Sequence, residues 1–185
     1  MPKTIQFIIP GEIHCIDISC GFKQSKLFIS LNDYLDFKTI VLKQSLTFNI
    51  SMLGYCLTPQ RVLILAQPHA ELELSKMLQS LQILYQTRAL KKGHPLRLVY
   101  KYTPIESSFV KKALRYIERS PIGDKLALYP EHYLWSSCIH SIGVRQDPLI
   151  KALPAHPIKP KPWHTFVSNP TDTFTTMVMK NILRL

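Results

Sequence analysis

The sequence lacks several features that mark common classes of protein. It has no apolar run of about 18 residues, the length that a membrane-spanning helix needs, so we expect no membrane partner. Its four cysteines show no CxxC spacing, and its seven histidines show no i, i+2 or i, i+4 pairs. The spacing of a structural zinc site is therefore missing. Reduced thiols in a cytoplasmic protein are the expected state of the cysteines.

Acidic residues are also scarce, with 12 Asp and Glu against 23 Lys and Arg, which gives a formal net charge of +11. The excess is concentrated in residues 86–119, which contain nine Lys or Arg and two Glu. Such a cluster attracts polyanions and predicts a nucleic-acid partner, although a solvated surface that keeps the protein soluble is the alternative interpretation. The nine basic residues are Arg88, Lys91, Lys92, Arg97, Lys101, Lys111, Lys112, Arg115 and Arg119.

The apolar patterns of residues 13–119 predict the element order β, α, β, β, α, β, α. Pro59 requires a turn between the second and third strands, because proline does not fit a central strand. The last helix is predicted over residues 106–119, with Pro121 ending it. This order is typical of the α+β class, with a ferredoxin-like antiparallel sheet and helices packed on it.

The composition changes after residue 146, because prolines become frequent among lysines and histidines. We therefore predict a domain over residues 1–146 and a Pro-rich basic C-terminal arm over residues 147–185. The arm is expected to be extended, with Trp163 and Phe166 docking it on the body or on a partner. A short helix is predicted over residues 177–185.

Two segments resemble core motifs of a known family. Residues Gly54 to Leu65 read G-Y-C-L-T-P-Q-R-V-L-I-L, and Leu114 to Pro121 read L-R-Y-I-E-R-S-P. They are similar to Y-C-L-M-P-N-H-V-H-L-L and R-Y-I-E-L-N-P of the REP-associated tyrosine transposases, in the HUH single-tyrosine family. Shorter similar segments at residues 21–34, 77–85 and 133–137 extend the resemblance over about residues 4 to 140.

The resemblance implies a fold and a chemistry. Members of this family cleave single-stranded DNA by transesterification, with a tyrosine as nucleophile and a divalent metal bound by the two histidines and an amide side chain. The tyrosine corresponds to Tyr116, and the three ligand positions correspond to Arg61, Leu63 and Ser120. Leucine cannot bind a metal and arginine carries a permanent positive charge, so the metal motif is degenerate. We expect no cofactor, and Mg or Mn only if activity survives.

The sequence thus favours a catalytically inactive, transposase-like protein that binds hairpin or single-stranded DNA. Arg61 could hold a phosphate where the metal stood, together with the nine basic residues named above. Tyr116 is either a vestigial nucleophile that now contacts DNA or a packing residue.

Three other hypotheses remain at this point. They are an active metal-dependent transposase or nuclease that uses Tyr116, an RNA-binding regulator, and a protein-interaction role for the Pro-rich arm. The expected location is the nucleoid in the cytoplasm. The oligomeric state is open, with a homodimer as one option, because the family has both dimeric and monomeric branches.

Overall fold

The computed structural model describes residues 9–22, 25–151 and 158–182. Two single-turn 3₁₀ helices, Ser107–Phe109 and Pro130–His132, accompany the main elements. The main elements, in chain order, are β1 (Ile13–Cys20), α1 (Leu31–Thr47), β2 (Ile50–Leu57), β3 (Arg61–Pro68), α2 (Glu73–Lys91), β4 (Leu98–Ile105), α3 (Val110–Gly123), α4 (Cys138–Ser141), α5 (Pro160–Ser168) and α6 (Thr173–Ile182).

The four strands form one sheet in the order β2-β3-β1-β4, and every neighbouring pair is antiparallel. This is the strand order of a ferredoxin-like fold, in which two β-α-β units interleave. The predicted α+β class and the predicted order of elements from β1 to α3 are therefore confirmed. In the register, Asp17 of β1 lies opposite both Leu63 of β3 and Lys101 of β4.

Helices cover both faces of the sheet, and each face has its own apolar core. On one face Ile16, Val62 and Ile64 pack with α1 and α2. On the other face Leu63 and Leu65 pack with α3 and with the C-terminal helices. Successive side chains of a strand point to opposite faces of the sheet, and both faces are buried at β3. For this reason β3 is apolar at almost every position.

Gly54 allows α3 to lie directly on β2. A Cβ atom at this position would lie 2.1 Å from Cδ1 of Leu114 and 3.2 Å from Oγ of Ser137. The absence of a side chain therefore sets the distance between α3 and the sheet, and with it the position of the residues on α3.

Pro121 lies inside α3, which continues to Gly123, so the prediction that the helix ends at Pro121 is wrong. Proline has no N–H and cannot donate to the carbonyl of Ile117. The hydroxyl of Ser120 donates to that carbonyl instead, at 2.9 Å. The missing hydrogen bond is thus replaced locally, and the helix continues for a further turn.

The expectation of an extended C-terminal arm is wrong for the residues that the structure describes. Asp147 is buried and accepts hydrogen bonds from Tyr55 Oη at 2.6 Å and Lys38 Nζ at 2.7 Å. The N–H of Lys151 donates to the carbonyl of Met52. Beyond them, α5 and α6 pack against α3.

The prolines misled the prediction because proline suits the first turn of a helix as well as an extended chain. Pro160 is the first residue of α5, and Trp163 docks as expected, with 4% of its surface exposed. Pro154 and Pro157 lie outside the described residues, as do residues 183–185 of the predicted terminal helix, which α6 otherwise overlaps. The boundary at residue 146 stays a prediction.

No helix in the described ranges combines the length and the hydropathy that crossing a bilayer requires.

Candidate nucleic-acid interface

The four positions that the sequence predicted as a degenerate active site lie around one cavity of about 470 Å³. Arg61 and Leu63, two residues apart on β3, point to the same face of the sheet. Tyr116 and Ser120, four residues apart on α3, share one face of the helix. Because α3 packs on that face of the sheet, the two pairs meet, as the motif resemblance implied.

Arg61 is held by an acid that the sequence analysis did not single out. Its Nε donates to Oδ1 of Asp17 at 2.9 Å, and its Nη2 donates to Oδ2 at 2.5 Å. Burial by itself lowers the pKa of Arg61, but the hydrogen bonds and charge of Asp17 outweigh it and raise that pKa. The available signal was an acid at the centre of the apolar strand I-H-C-I-D-I-S-C, a position that needs a partner.

Tyr116 is half-buried beside this ion pair. Burial raises the pKa of its phenol, and the Arg61 guanidinium opposes that rise only in part. A phenol must lose its proton to attack a phosphorus atom. The surroundings of Tyr116 therefore favour the neutral phenol over the phenolate.

The side chains around the cavity do not fit a divalent cation. Of the three positions that correspond to metal ligands, Arg61 is a cation, Leu63 is aliphatic and the Ser120 hydroxyl donates to Ile117. Asp124 also lines the cavity, while Asp17 already binds Arg61. Within residues 9–22, 25–151 and 158–182, no group of three or more His, Cys, Asp or Glu side chains is placed to hold a metal ion. Such a donor set lacks the oxygen and nitrogen ligands that a divalent ion requires.

Part of the cavity wall comes from the C-terminal segment, which was not predicted to lie at this site. Pro170, Thr171, Thr176 and Lys180 line it, and Arg119 of α3 completes the basic side chains. Three cations and one carboxylate, Asp124, therefore surround a cavity that also has hydroxyl groups. This composition suits an anion such as a phosphate.

Arg115 and Arg119 were predicted to contact nucleic acid, and that role stays a prediction, although both guanidinium groups also have partners within the protein. Arg115 is buried, and its Nη2 donates to the carbonyls of Asn169 at 2.7 Å and Pro170 at 3.0 Å. Arg119 Nη1 donates to the carbonyls of Val167 and Ser168 at the end of α5. The two guanidinium groups bond carbonyls that the helix end leaves without partners.

The remaining predicted basic residues do not form one surface. Arg88, Lys91 and Lys92 end α2, on the face of the sheet opposite the cavity. There Arg88 pairs with Asp36 at 2.6 Å, and Lys92 pairs with Asp36 and Asp33 at 2.6 and 2.8 Å. Acids of α1 thus partly neutralise this group, and it lies on a different face of the sheet from the cavity.

Four basic residues remain exposed on the α3 side of the sheet: Arg97, Lys101, Lys111 and Lys112. Helix α3 packs on β2 and β3, which leaves β4 uncovered. Val99, between Arg97 and Lys101, is 39% exposed as a result. We call Arg97, which directly precedes β4, together with Val99 and Lys101 the open β4 strip; Lys101 lies opposite Asp17, the partner of Arg61.

No protein-family model matches the chain, and no curated protein matches it. Among solved structures, the chain is similar to a REP-associated tyrosine transposase bound to a REP hairpin. The TM-score is 0.66 and the sequence identity is 11%, and the match covers 83% of this chain and 99% of that chain. This similarity establishes the fold relationship that the motifs suggested. Because the identity is only 11%, the similarity establishes the fold and nothing further.

Proposed function

We propose that this protein binds hairpin or single-stranded DNA across the open β4 strip and the Arg61 cavity, and that it does not cleave it by a metal-assisted route. The observation that carries the proposal is the meeting of Arg61, Tyr116 and Ser120 at one cavity, on the fold of a transposase that was solved with a REP hairpin. The basic, partly open cavity lies at the positions that correspond to the metal ligands of the REP-associated tyrosine transposases.

Arg61 is suited to bind a phosphate while it remains paired with Asp17. The pair uses Nε and Nη2 of the guanidinium. The guanidinium also lies beside the Tyr116 hydroxyl, and 33% of the Arg61 side chain is exposed. The charge of Asp17 holds the guanidinium in place, so a phosphate oxygen would meet a donor that is already oriented.

Two observations support the proposed absence of metal-assisted cleavage: the side chains at the ligand positions and the surroundings of the tyrosine. Neither an aliphatic nor a guanidinium side chain can replace an imidazole as a ligand. Burial also raises the pKa of Tyr116, which does not favour the ionised phenol that acts as nucleophile. In this proposal the Tyr116 ring forms part of the wall against which the nucleic acid lies.

The first test is a binding titration by fluorescence anisotropy. Labelled hairpin DNA, single-stranded DNA, duplex DNA and hairpin RNA are compared at about 50 mM and about 200 mM salt. We expect hairpin or single-stranded DNA to bind best, with an affinity that falls by roughly 0.7 log units per log unit of salt for each phosphate contacted on a single strand. Tighter binding of the RNA hairpin would favour the RNA-binding alternative, and binding that does not change with salt would contradict the proposal.

Two variants locate the interface. Arg61→Gln and Lys101→Gln should each weaken binding and reduce the salt slope by roughly 0.7. Lys43→Gln is the control, because Lys43 is exposed like Lys101 but lies on α1, across the sheet from the cavity. Lys101→Gln is included because Lys101 forms no ion pair with any residue that the structure describes, whereas Arg61→Gln leaves Asp17 without its partner.

A covalent assay distinguishes binding from cleavage. The protein is incubated with labelled single-stranded or hairpin DNA and Mn²⁺ and analysed on a denaturing gel. We expect no protein–DNA adduct. An adduct that forms with the unaltered chain and disappears in Tyr116→Phe would establish the active-transposase alternative.

A further inference from the structure

A second concave site lies at the opposite end of α3 from the Arg61 cavity. It has a volume of about 430 Å³ and lies between the first turn of α3 and helix α5. Apart from two lysines, its lining is apolar and largely aromatic. The lining residues are Lys111, Ile158, Lys159, Pro162, Trp163 and Phe166.

The aromatic walls of this pocket are held in fixed positions. The indole Nε1 of Trp163 donates to the buried carboxylate of Glu118 at 2.8 Å. The Arg115 guanidinium lies 4.2 Å from the centroid of the Phe166 ring. The centroids of the Trp163 and Phe166 rings are 5.4 Å apart. An arrangement that is already ordered loses little entropy when a flat ligand enters.

We infer that this pocket holds an unstacked nucleobase of the bound strand, with Lys111 and Lys159 contacting the phosphates on either side of it. The inference rests on the proposed DNA binding and adds a base-holding site to it. Aromatic side chains bind bases of any sequence, because every base has a π-face. Both lysines are exposed at the rim, and none of the described acids forms an ion pair with them.

The lysine rim distinguishes this occupant from an apolar peptide. Two cations beside an aromatic pocket complement a nucleotide, which joins a flat apolar ring to a negative charge. Lys111 and Ser120 are nine residues apart on α3, which is about 14 Å along the helix axis and about half a turn around it. The pocket and the Arg61 cavity therefore lie on different sides of α3, and a strand that occupies both must pass around the helix.

The experiment compares a single-stranded DNA of about 16 nucleotides with strands of the same sequence that carry an abasic site at one position each. In Phe166→Ala, we expect the affinity for the intact strand to fall roughly 5- to 150-fold. The affinity for the strand that lacks the critical base should not change. Lys159→Gln should weaken both strands equally, because its contact is with phosphate.

Two further variants keep the result interpretable. Phe166→Leu retains most of the apolar volume but removes the aromatic face, so it separates base stacking from packing if Phe166→Ala is unstable. Ile83→Ala is the control, since Ile83 is an exposed apolar residue of α2 and should change neither affinity. As a direct readout, 2-aminopurine at the critical position should change its fluorescence on binding the unaltered chain but not Phe166→Leu.

The outcomes separate this inference from the proposed function. If no nucleic acid binds, both are wrong. If binding depends on Arg61 but Phe166→Ala and Phe166→Leu affect intact and abasic strands equally, only the base pocket is wrong. If the Phe166 variants lose the preference for the intact strand while Arg61→Gln has no effect, the pocket stands and the proposed phosphate site is wrong.

Discussion

Gly54 is the residue at which the smallest change should have the largest structural effect. In Gly54→Ala the new methyl group would overlap Leu114, 2.1 Å away, in the core between β2 and α3. Overpacking of this kind costs about 1 to 3 kcal/mol. We expect the free energy of unfolding, measured in urea, to fall by about that amount.

Gly123 provides the matched control for this prediction. It is the last residue of α3, and no atom lies within 4 Å of a Cβ placed there. Gly123→Ala should therefore leave the stability unchanged or raise it slightly, because alanine favours the helical conformation. Equal losses in the two variants would show that backbone freedom, and not the contact with Leu114, makes Gly54 necessary.

Asp33 should make the stability depend on pH at its acidic end. Burial opposes its ionisation, but hydrogen bonds from Lys92 and from the N–H groups of Ile29 and Ser30 outweigh this effect and lower its pKa from 3.8 to about 2. A lowered pKa in the folded state stabilises the fold at pH values above the unfolded-state pKa of 3.8. That contribution is lost as the pH falls from 3.8 through about 2.

The corresponding variant is Asp33→Asn, which loses both the charge and part of the N-terminal cap of α1. It should be less stable than the unaltered chain by about 1 kcal/mol at neutral pH. The difference should shrink as the pH falls toward 2. Urea unfolding at several pH values measures it, with Glu71→Gln, an exposed carboxylate, as the control. A difference that stays constant with pH would assign the loss to the cap geometry alone.

At the scale of elements, the sequence predicted the order from β1 to α3 well because apolar periodicity reports which side of an element is buried. The alternation of β1, the apolar run of β3 and the 3.6-residue spacing of α2 all identified elements that the structure contains. Proline caused the errors. At Pro121 a neighbouring hydroxyl replaces the lost hydrogen bond, whereas Pro160 begins a helix. The spacing of the apolar residues along the sequence shows neither outcome.

The attachment of α5 to α3 is the element-scale feature that charge counting misread. Arg119→Gln removes the donor to the carbonyls of Val167 and Ser168, and unsatisfied groups of this kind cost about 1 to 3 kcal/mol. We expect faster hydrogen exchange over residues 160–182, with exchange in the sheet unchanged. Hydrogen-exchange mass spectrometry measures it.

Lys112→Gln is the control for Arg119→Gln, because Lys112 is on the same helix but exposed. It should leave the exchange of α5 and α6 unchanged. If Arg119→Gln lowered the affinity for DNA and left the exchange rates as they were, Arg119 would be a nucleic-acid contact, as the sequence analysis first predicted.

At the scale of the whole molecule, the two sequence motifs identified residues that meet at the cavity. The distribution of charge along the sequence did not show the surroundings of the basic residues. Tyr116 and Ser120 meet Arg61 and Leu63 because the spacing within each motif fixes a face, and the fold brings the two faces together. Asp17 and Lys180 were not predicted, since their role depends on β1 pairing with β3 and on α6 folding back, which are contacts between distant parts of the chain. Counting charges likewise could not show that Arg115 is buried.

The correspondence between this cavity and a metal site can be tested by restoring the ligands. In the triple variant Arg61→His, Leu63→His and Ser120→Asn, two imidazoles on one face of β3 and an amide on α3 would surround the cavity, with the Asp17 carboxylate released from its ion pair. We expect Mn²⁺ to raise the melting temperature of this variant. At a concentration a hundredfold above the dissociation constant, binding adds about 2.7 kcal/mol to the free energy of unfolding. The unaltered chain should show no such rise.

The double variant Arg61→His and Ser120→Asn, which keeps Leu63, is the control and should respond weakly, because one imidazole and one amide make a poor site. Circular dichroism checks that each variant is folded, since Leu63 is only 2% exposed and a histidine there will lower stability. A folded triple variant that ignores Mn²⁺ would show that these three positions do not converge as metal ligands must. A rise in the unaltered chain would show that a cation binds despite Arg61 and Leu63, and the case for a metal-free cavity would then be wrong.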